Sequence, residues 1–377
     1  MLNAVLFIAD PQMAKLMREF ASESNDFAID SIVEMGRMGY AAARTAGTTQ
    51  PDVILLELTE SDRDLAQAAA IHKHFPDVPL VGLVSSDLHL SLSRSSNSDL
   101  TSFAVWPFSV AQLEQAISNA VHKLHGEIHE NLVAFLPGKA GSGASTVALN
   151  TARVIAQELK RRVLVVEGDL HSGLLSAMLQ VEPKSSIREV LAEAPRIDNF
   201  SWQRYVTSAG GVDFLLTNTV VKEPVPSWTN YFQVLRFAVP KYDLVLVDLP
   251  EIVNSATAEM VRRARVIYVV STPEFASLEL SKQRCRELEH WGVDRGRIRA
   301  LLNRGHKSDI GPKDAERILD CPVEMTFPND YKAVRRATVD ANIIDKRGDL
   351  GEAYLAFSRM LTGAEPEKKS LMGLFRK

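Results

Sequence analysis

Apolar residues along this chain fall into short unbroken runs, separated by longer stretches in which they recur every three or four positions. The runs read as strands buried on both faces of a parallel sheet, and the stretches between them as the helices that cover it. In the first part of the chain the runs are 3–10 (NAVLFIAD), 51–58 (PDVILLEL) and 78–86 (VPLVGLVSS). The helix closing this part is the clearest: Leu113, Ala116, Ile117, Ala120, Val121 and Leu124 share one face. The pattern predicts a doubly wound α/β domain over 1–125 and a polar linker over 126–131. A second series, at 131–138, 162–169, 211–218, 242–250, 265–272, 298–304 and 323–328, predicts a larger α/β domain over 132–365 with a mainly parallel sheet. Its first helix is marked by Ala148, Ala152, Ile155 and Leu159. There is no internal repeat, and the serine-rich stretch 85–100 is expected to be a weak helix and a loop.

With 377 residues, 46% of them hydrophobic and 24% charged, the chain can build two or three cored domains. A formal net charge of −4 argues against a general polyanion binder. Cys285 and Cys321 form neither a C-x-x-C pair nor a disulfide framework, which fits a reducing cytosol and argues against an iron–sulfur ATPase. The opening MLNAVLFIADPQ has no basic n-region or cleavage site and is not expected to be a signal peptide. No apolar run approaches the length of a membrane-spanning helix.

Candidate chemistry enters at FLPGKAGSGASTVALNTA, residues 135–152. Gly138, Gly143 and Ser145 stand at Walker A spacing, but Ala144 occupies the place of the lysine. A strand, a glycine-rich turn and a helix can still bind phosphate, because main-chain amides and the positive end of the helix need no side chain. Ser145 keeps a hydroxyl for a magnesium ion. What is lost is a positive charge where charge develops during phosphoryl transfer. An ordinary glycine turn is the alternative.

Read from Lys139, the segment Lys-Ala-Gly-Ser-Gly-Ala-Ser-Thr resembles the deviant Walker A loop of the MinD/ParA ATPases. It keeps Lys139, Gly141, Gly143 and Ser145 and departs at Ala140 and Ala144. The resemblance implies a P-loop fold that binds ATP and Mg2+ through Gly138, Lys139, Ala140, Gly141, Ser142, Gly143, Ala144, Ser145 and Thr146, with Lys139 reaching a phosphate across a homodimer interface. It makes Asp169 in VVEGDL the candidate catalytic acid that orients water, and Asp248 in LVLVDLP a magnesium ligand acting through water. It assigns Asn303 of LLNR to the adenine, and expects Arg304 and Pro328 (of FPND) beside the nucleotide. Each acid has a plainer alternative: Asp169 a turn residue, Asp248 the N-cap of a helix starting at SATAEM.

The first 125 residues resemble a response-regulator receiver whose switch positions have changed. Asp10 remains after the first strand, Glu57 stands at the phospho-acceptor position, Ser85 keeps the hydroxyl position, and Trp106-Pro107 replaces Lys-Pro. This flavodoxin-like domain is therefore expected not to be phosphorylated and to serve in protein interaction or dimerisation. A degenerate receiver ahead of a MinD/ParA-like domain resembles the CpaE/TadZ proteins of Flp (tight adherence, type IVc) pilus assembly. That resemblance implies an ATP-binding dimer with weak or absent hydrolysis, cytoplasmic or peripheral at the inner membrane or cell pole, with pilus or secretion-apparatus proteins as partners. An active positioning ATPase is the alternative. Nucleic acid is not the expected partner, although basic clusters occur at Lys160-Arg161-Arg162, Arg262-Arg263-Arg265 and Arg335-Arg336. The tail 366–377, with Leu371, Met372, Leu374 and Phe375 among Lys368, Lys369, Arg376 and Lys377, could lie on a membrane surface or stay solvated.

Overall fold

Two units divide the chain, Met1–Glu127 and Ile128–Lys377. The structure, a computed structural model, describes residues 1–34, 51–59, 61–92, 100–126, 128–218, 226–306 and 310–364. The tail 366–377 lies outside the described residues.

In the first unit the strands are β1 (Leu2–Ile8), β2 (Phe27–Glu34), β3 (Val53–Glu57), β4 (Leu80–Ser85) and β5 (Ser102–Trp106). The helices are α1 (Pro11–Glu23), α2 (Ser61–His74), α3 (Ser86–Leu92) and α4 (Val110–His125). The sheet order is β2-β1-β3-β4-β5, every neighbouring pair parallel, which is the flavodoxin-like winding. All five residues of the central strand β3 are buried. The two strands without a long apolar run, β2 and β5, lie at the two edges, where only one neighbour pairs with them. Helix α4 buries Leu113, Ala116, Ile117, Ala120 and Val121, and a capping box at Ser109 and Gln112 fixes its start.

The second unit has an eight-stranded sheet, β13-β12-β11-β6-β10-β7-β9-β8. Its strands are β6 (His129–Pro137), β7 (Val163–Glu167), β8 (Thr207–Ala209), β9 (Val212–Leu215), β10 (Leu244–Asp248), β11 (Ala264–Ser271), β12 (Ile298–Gly305) and β13 (Val323–Pro328). The helices are α5 (Ala144–Gln157), α6 (Leu175–Leu179), α7 (Ile187–Ala192), α8 (Asn199–Tyr205), α9 (Trp228–Ala238), α10 (Ser255–Arg263), α11 (Phe275–His290), α12 (Pro312–Leu319), α13 (Tyr331–Val339) and α14 (Asp349–Thr362). Only the short edge strand β8 runs antiparallel to its neighbour. Strand side chains alternate between two cores. Val133 and Phe135 of β6 join α5 and α14 on one face, while Leu132, Ala134 and Leu136 join α9, α10 and α11 on the other.

Strand β6 begins at His129, which pairs with Ala264, so the expected linker 126–131 is cut short. Its polar opening residues misled the pattern. Asn131 stays polar because its side-chain amide donates to the carbonyls of Val239 and Tyr242, both at 2.9 Å. Helix α5 ends before Leu159, and Lys160 follows with φ 54°. Among the described residues no helix is long and apolar enough to cross a membrane.

Candidate functional site

The site forms at the C-terminal end of β6, with β10 and β11 as its two neighbours, which is where ligands of open α/β sheets bind. β6 ends at Pro137 and α5 begins at Ala144, leaving a six-residue turn. The turn is anchored at one end by the Gly138 N–H donating to Val270 O (2.9 Å) and closed by the Ser142 N–H donating to Lys139 O (3.1 Å). Gly143 caps α5 with φ 93°, and a Cβ there would stand 2.4 Å from Asn303 Nδ2, so neither backbone nor space admits a side chain. No side chain caps the helix. Its first N–H groups, like those of any helix start, have no carbonyl partner within the helix. Ala144 is buried and packs into the α5 core.

Ser145 lies in the first turn of α5, and its side chain bonds Asp248 at the end of β10. Asp248 is 4% exposed, and its Oδ1 has no hydrogen-bond partner among the described residues. Burial, with further contributions from Glu167 and Asp169, pushes its carboxyl up to about 7 against the Ser145 bond. An unpartnered carboxylate oxygen beside a serine hydroxyl fits a hard divalent cation such as Mg2+. Asp248 is not a helix N-cap. Asn254 does that work, its Oδ1 accepting from Thr257 N at 3.0 Å.

A second buried acid went unnoticed in the sequence. Glu167 closes β7 and is 0% exposed. Its Oε1 accepts from Leu175 N (2.8 Å) and its Oε2 from Thr217 N (2.7 Å). One carboxylate thus staples the loop after β7 to the segment after β9. Burial raises it to about 7, although both amides favour the charged form. In sequence it reads as one more polar residue ending an apolar run. Asp169, the expected catalytic acid, is half-buried, and its Oδ1 accepts from the N–H groups of His171 (3.0 Å) and Ser172 (2.8 Å). That is the turn-capping geometry.

Asn303 and Arg304, at the end of β12, meet the same turn. Asn303 Nδ2 donates to Ser142 O (2.8 Å) and its Oδ1 accepts from Arg304 N (3.0 Å). Its amide is thus spent in part on clamping the turn, a role its spacing in sequence did not suggest. Lys139 Nζ sits 3.1 Å from Glu274 Oε2, on the loop between β11 and α11. Both ends of this ion pair are solvent-accessible, so it contributes little to stability. Pro328 ends β13 beside Gly305, and Asp330 caps α13 through Ala333 N.

The structure brings the turn, Ser145, Asp248, Asn303 and Arg304 together. A separate cleft of about 480 Å3, lined by Glu130, Arg161, Asp243 and Arg265 among others, lies at the opposite ends of the strands and mixes both charges. Of the basic clusters, Arg262-Arg263-Arg265 is used inside the fold, whereas Lys160-Arg161-Arg162 and Arg335-Arg336 are exposed. Arg263 is buried, pairs with Glu259 and stacks over Phe232 at 4.6 Å. Arg265 donates to Leu361 O, and Arg162 pairs with Asp243 at 3.0 Å.

In the first unit, Glu57 Oε2 accepts from the N–H groups of Ala9 (2.6 Å) and Asp10 (3.0 Å). The extra methylene of glutamate carries its carboxylate across to the β1–α1 loop, where it fills its own site. Asp10 caps α1 through Gln12 N (2.8 Å). Ser85 accepts from Leu88 N at 3.4 Å. Trp106 is 41% exposed and meets Phe108 edge-on.

No protein-family profile matches the chain. A ParA family ATPase from Chlorobium tepidum superposes on 61% of this chain and 98% of its own, with TM-score 0.57 and 19% identity. The cell division ATPase MinD of Pyrococcus furiosus covers 62% of this chain and 100% of its own, with TM-score 0.51 and 22% identity. The second unit has the MinD/ParA fold. Among sequence relatives, a candidate tyrosine-protein kinase, EpsB, of Ralstonia solanacearum is 30% identical over 167 residues, 44% of this chain. The chain spans 22% of that relative's length. An ATP-binding protein of Methanocaldococcus jannaschii, itself uncharacterized, is 23% identical over 238 residues, 62% of this chain and 88% of its own.

Proposed function

We propose that the second unit binds Mg-ATP and turns it over slowly or not at all. The chain would then act as a nucleotide-dependent scaffold or positioning protein for Flp pilus assembly. The observation that carries the binding is the unpartnered Asp248 Oδ1 beside Ser145, in the first turn of the uncapped helix that follows the glycine turn. The MinD/ParA fold and the ATP-binding relative support the same ligand. Slow chemistry follows from the methyl group of Ala144, which adds no charge at the terminal phosphates, and from Asp169 being engaged in its own turn. Homodimerisation rests on the family resemblance and on Lys139, which must leave Glu274 to reach a phosphate in a second copy. The pilus role rests on the resemblance of the whole chain to CpaE/TadZ proteins, with Glu57 self-satisfied and the first unit free for partners rather than phosphorylation.

An active ATPase working on DNA is disfavoured, because the Arg262–Arg265 cluster is used inside the fold. Light scattering with and without Mg-ATP, with phosphate release followed in the same sample, tests the proposal. The expected result is a mass shift to dimer with little phosphate released. Sustained turnover abolished by Asp169→Ala would contradict it.

A further inference from the structure

Arg304 stands out among the cations of the site. It is exposed and follows Asn303 in β12, and it adopts φ 61°, a left-handed conformation that residues with a side chain take rarely. Such conformations cost on the order of 1–3 kcal/mol and persist where their surroundings enforce them. Here the enforcing contacts are the clamp itself: Asn303 Oδ1 holds the Arg304 N–H, and Asn303 Nδ2 holds Ser142 O. The result is that the arginine turns over the phosphate-type loop. A methyl group built on Gly143 would stand 3.8 Å from Arg304 Nη2, which sets the guanidinium beside the turn.

The loop lacks its usual lysine, since Ala144 stands there, and Lys139 is occupied by Glu274. Among the described residues no carboxylate pairs with Arg304. Two polar atoms, Ser142 Oγ in the turn and Asp248 Oδ1 at the end of β10, are buried without partners among the described residues. A guanidinium beside the turn, the uncapped start of α5 and the Ser145–Asp248 pair form a binding set for a polyphosphate.

Resting on the nucleotide-binding proposal, we propose that Arg304 replaces the missing lysine in the same chain: its guanidinium grips the outer phosphates of the nucleotide from the end of β12. The residue so acts on phosphate number, discriminating tri- and diphosphates from monophosphates, rather than on the base. Because the grip is made from across the turn, it stabilises bound phosphate without following the charge onto a transferred group. That agrees with tight holding and slow chemistry.

The test is titration calorimetry of the full chain with ATP, ADP and AMP in saturating magnesium, for wild type, Arg304→Gln, Arg304→Lys and the double variant Arg304→Gln with Ala144→Lys. Arg304→Gln should weaken ATP at least about tenfold and AMP by no more than about twofold, with Arg304→Lys between. Adding Ala144→Lys to Arg304→Gln should restore most of the loss, and should help that variant more than it helps wild type. Thermal unfolding of each variant checks that the fold is intact, and the exposed position of Arg304 predicts an unchanged Tm. ATP affinity unaltered by Arg304→Gln, or an equal loss for ATP and AMP, would overturn the role of Arg304 and leave nucleotide binding standing. A wild-type chain that binds none of the three would overturn both.

Discussion

Asp248→Asn should stabilise the nucleotide-free protein while removing the magnesium dependence of its nucleotide binding. The two effects have opposite signs because the same carboxylate is costly without a cation and useful with one. Asp248 is buried, half unpartnered, and raised to about 7 by desolvation. A carboxyl raised in the folded state binds its proton more tightly there than in the unfolded chain. Stability is therefore greatest at acid pH and falls as pH rises from about 4 towards 7, where the folded group ionises. With about 1.4 kcal/mol per pKa unit, the penalty above pH 7 is on the order of a few kcal/mol. Wild type should thus lose Tm between about pH 4 and about pH 7 and level off above that, and Mg-ATP should flatten that slope by supplying the missing positive charge. Asp248→Asn should show a shallower slope without ligand, a higher Tm at alkaline pH, and ATP affinity indifferent to magnesium. A variant less stable than wild type at alkaline pH, or one still responsive to magnesium, would contradict this assignment.

Glu167→Ala should be among the most destabilising single changes in the second unit. It leaves the amides of Leu175 and Thr217 without acceptors in a place closed to water. Each stranded donor costs about 1–3 kcal/mol, so the loss is about 2–5 kcal/mol, lessened at alkaline pH by removal of a desolvated charge. For a domain of this size that is a fall in Tm of roughly 5–15 °C. Glu167→Gln should not rescue it. Both carboxylate oxygens accept, whereas an amide offers one oxygen and sets its NH2 against an N–H donor. Limited proteolysis between 168 and 175 should quicken in both variants, since that loop has lost its staple. Wild-type Tm and cleavage rates in Glu167→Ala would show that other contacts hold the loop.

Much of this was legible in the chain. Each long apolar run became a strand because its residues are buried on both faces, and the parity of β6 between two cores reflects the same fact. The edge strands β2 and β8 were missed because FAIDSIVE interrupts its apolar residues with polar ones and TSA is too short to form a run. The turn at 138–143 was readable from its glycines, which meet a need for positive φ that sequence displays directly. The rest depends on contacts remote in sequence. Lys139 meets Glu274 across 135 positions, and Asn303 meets Ser142 across 161. Neither partner carries a local signal. Glu167 was hidden for the opposite reason: an acid ending a strand is common, and only burial between two loops makes it structural. Glu57 was flagged by its position, but its bonds to the Ala9 and Asp10 amides follow from the length of its side chain.

The central claim is that the turn from Lys139 to Thr146 holds a nucleoside triphosphate although Ala144 stands where a lysine is usual. Titration calorimetry of wild-type protein with ATP, in magnesium and then in excess chelator, addresses it most directly. The account predicts saturable one-site heat with a dissociation constant in roughly the micromolar range, weakened when magnesium is withdrawn. Absence of heat and of any rise in Tm with ATP or GTP under saturating magnesium would contradict it.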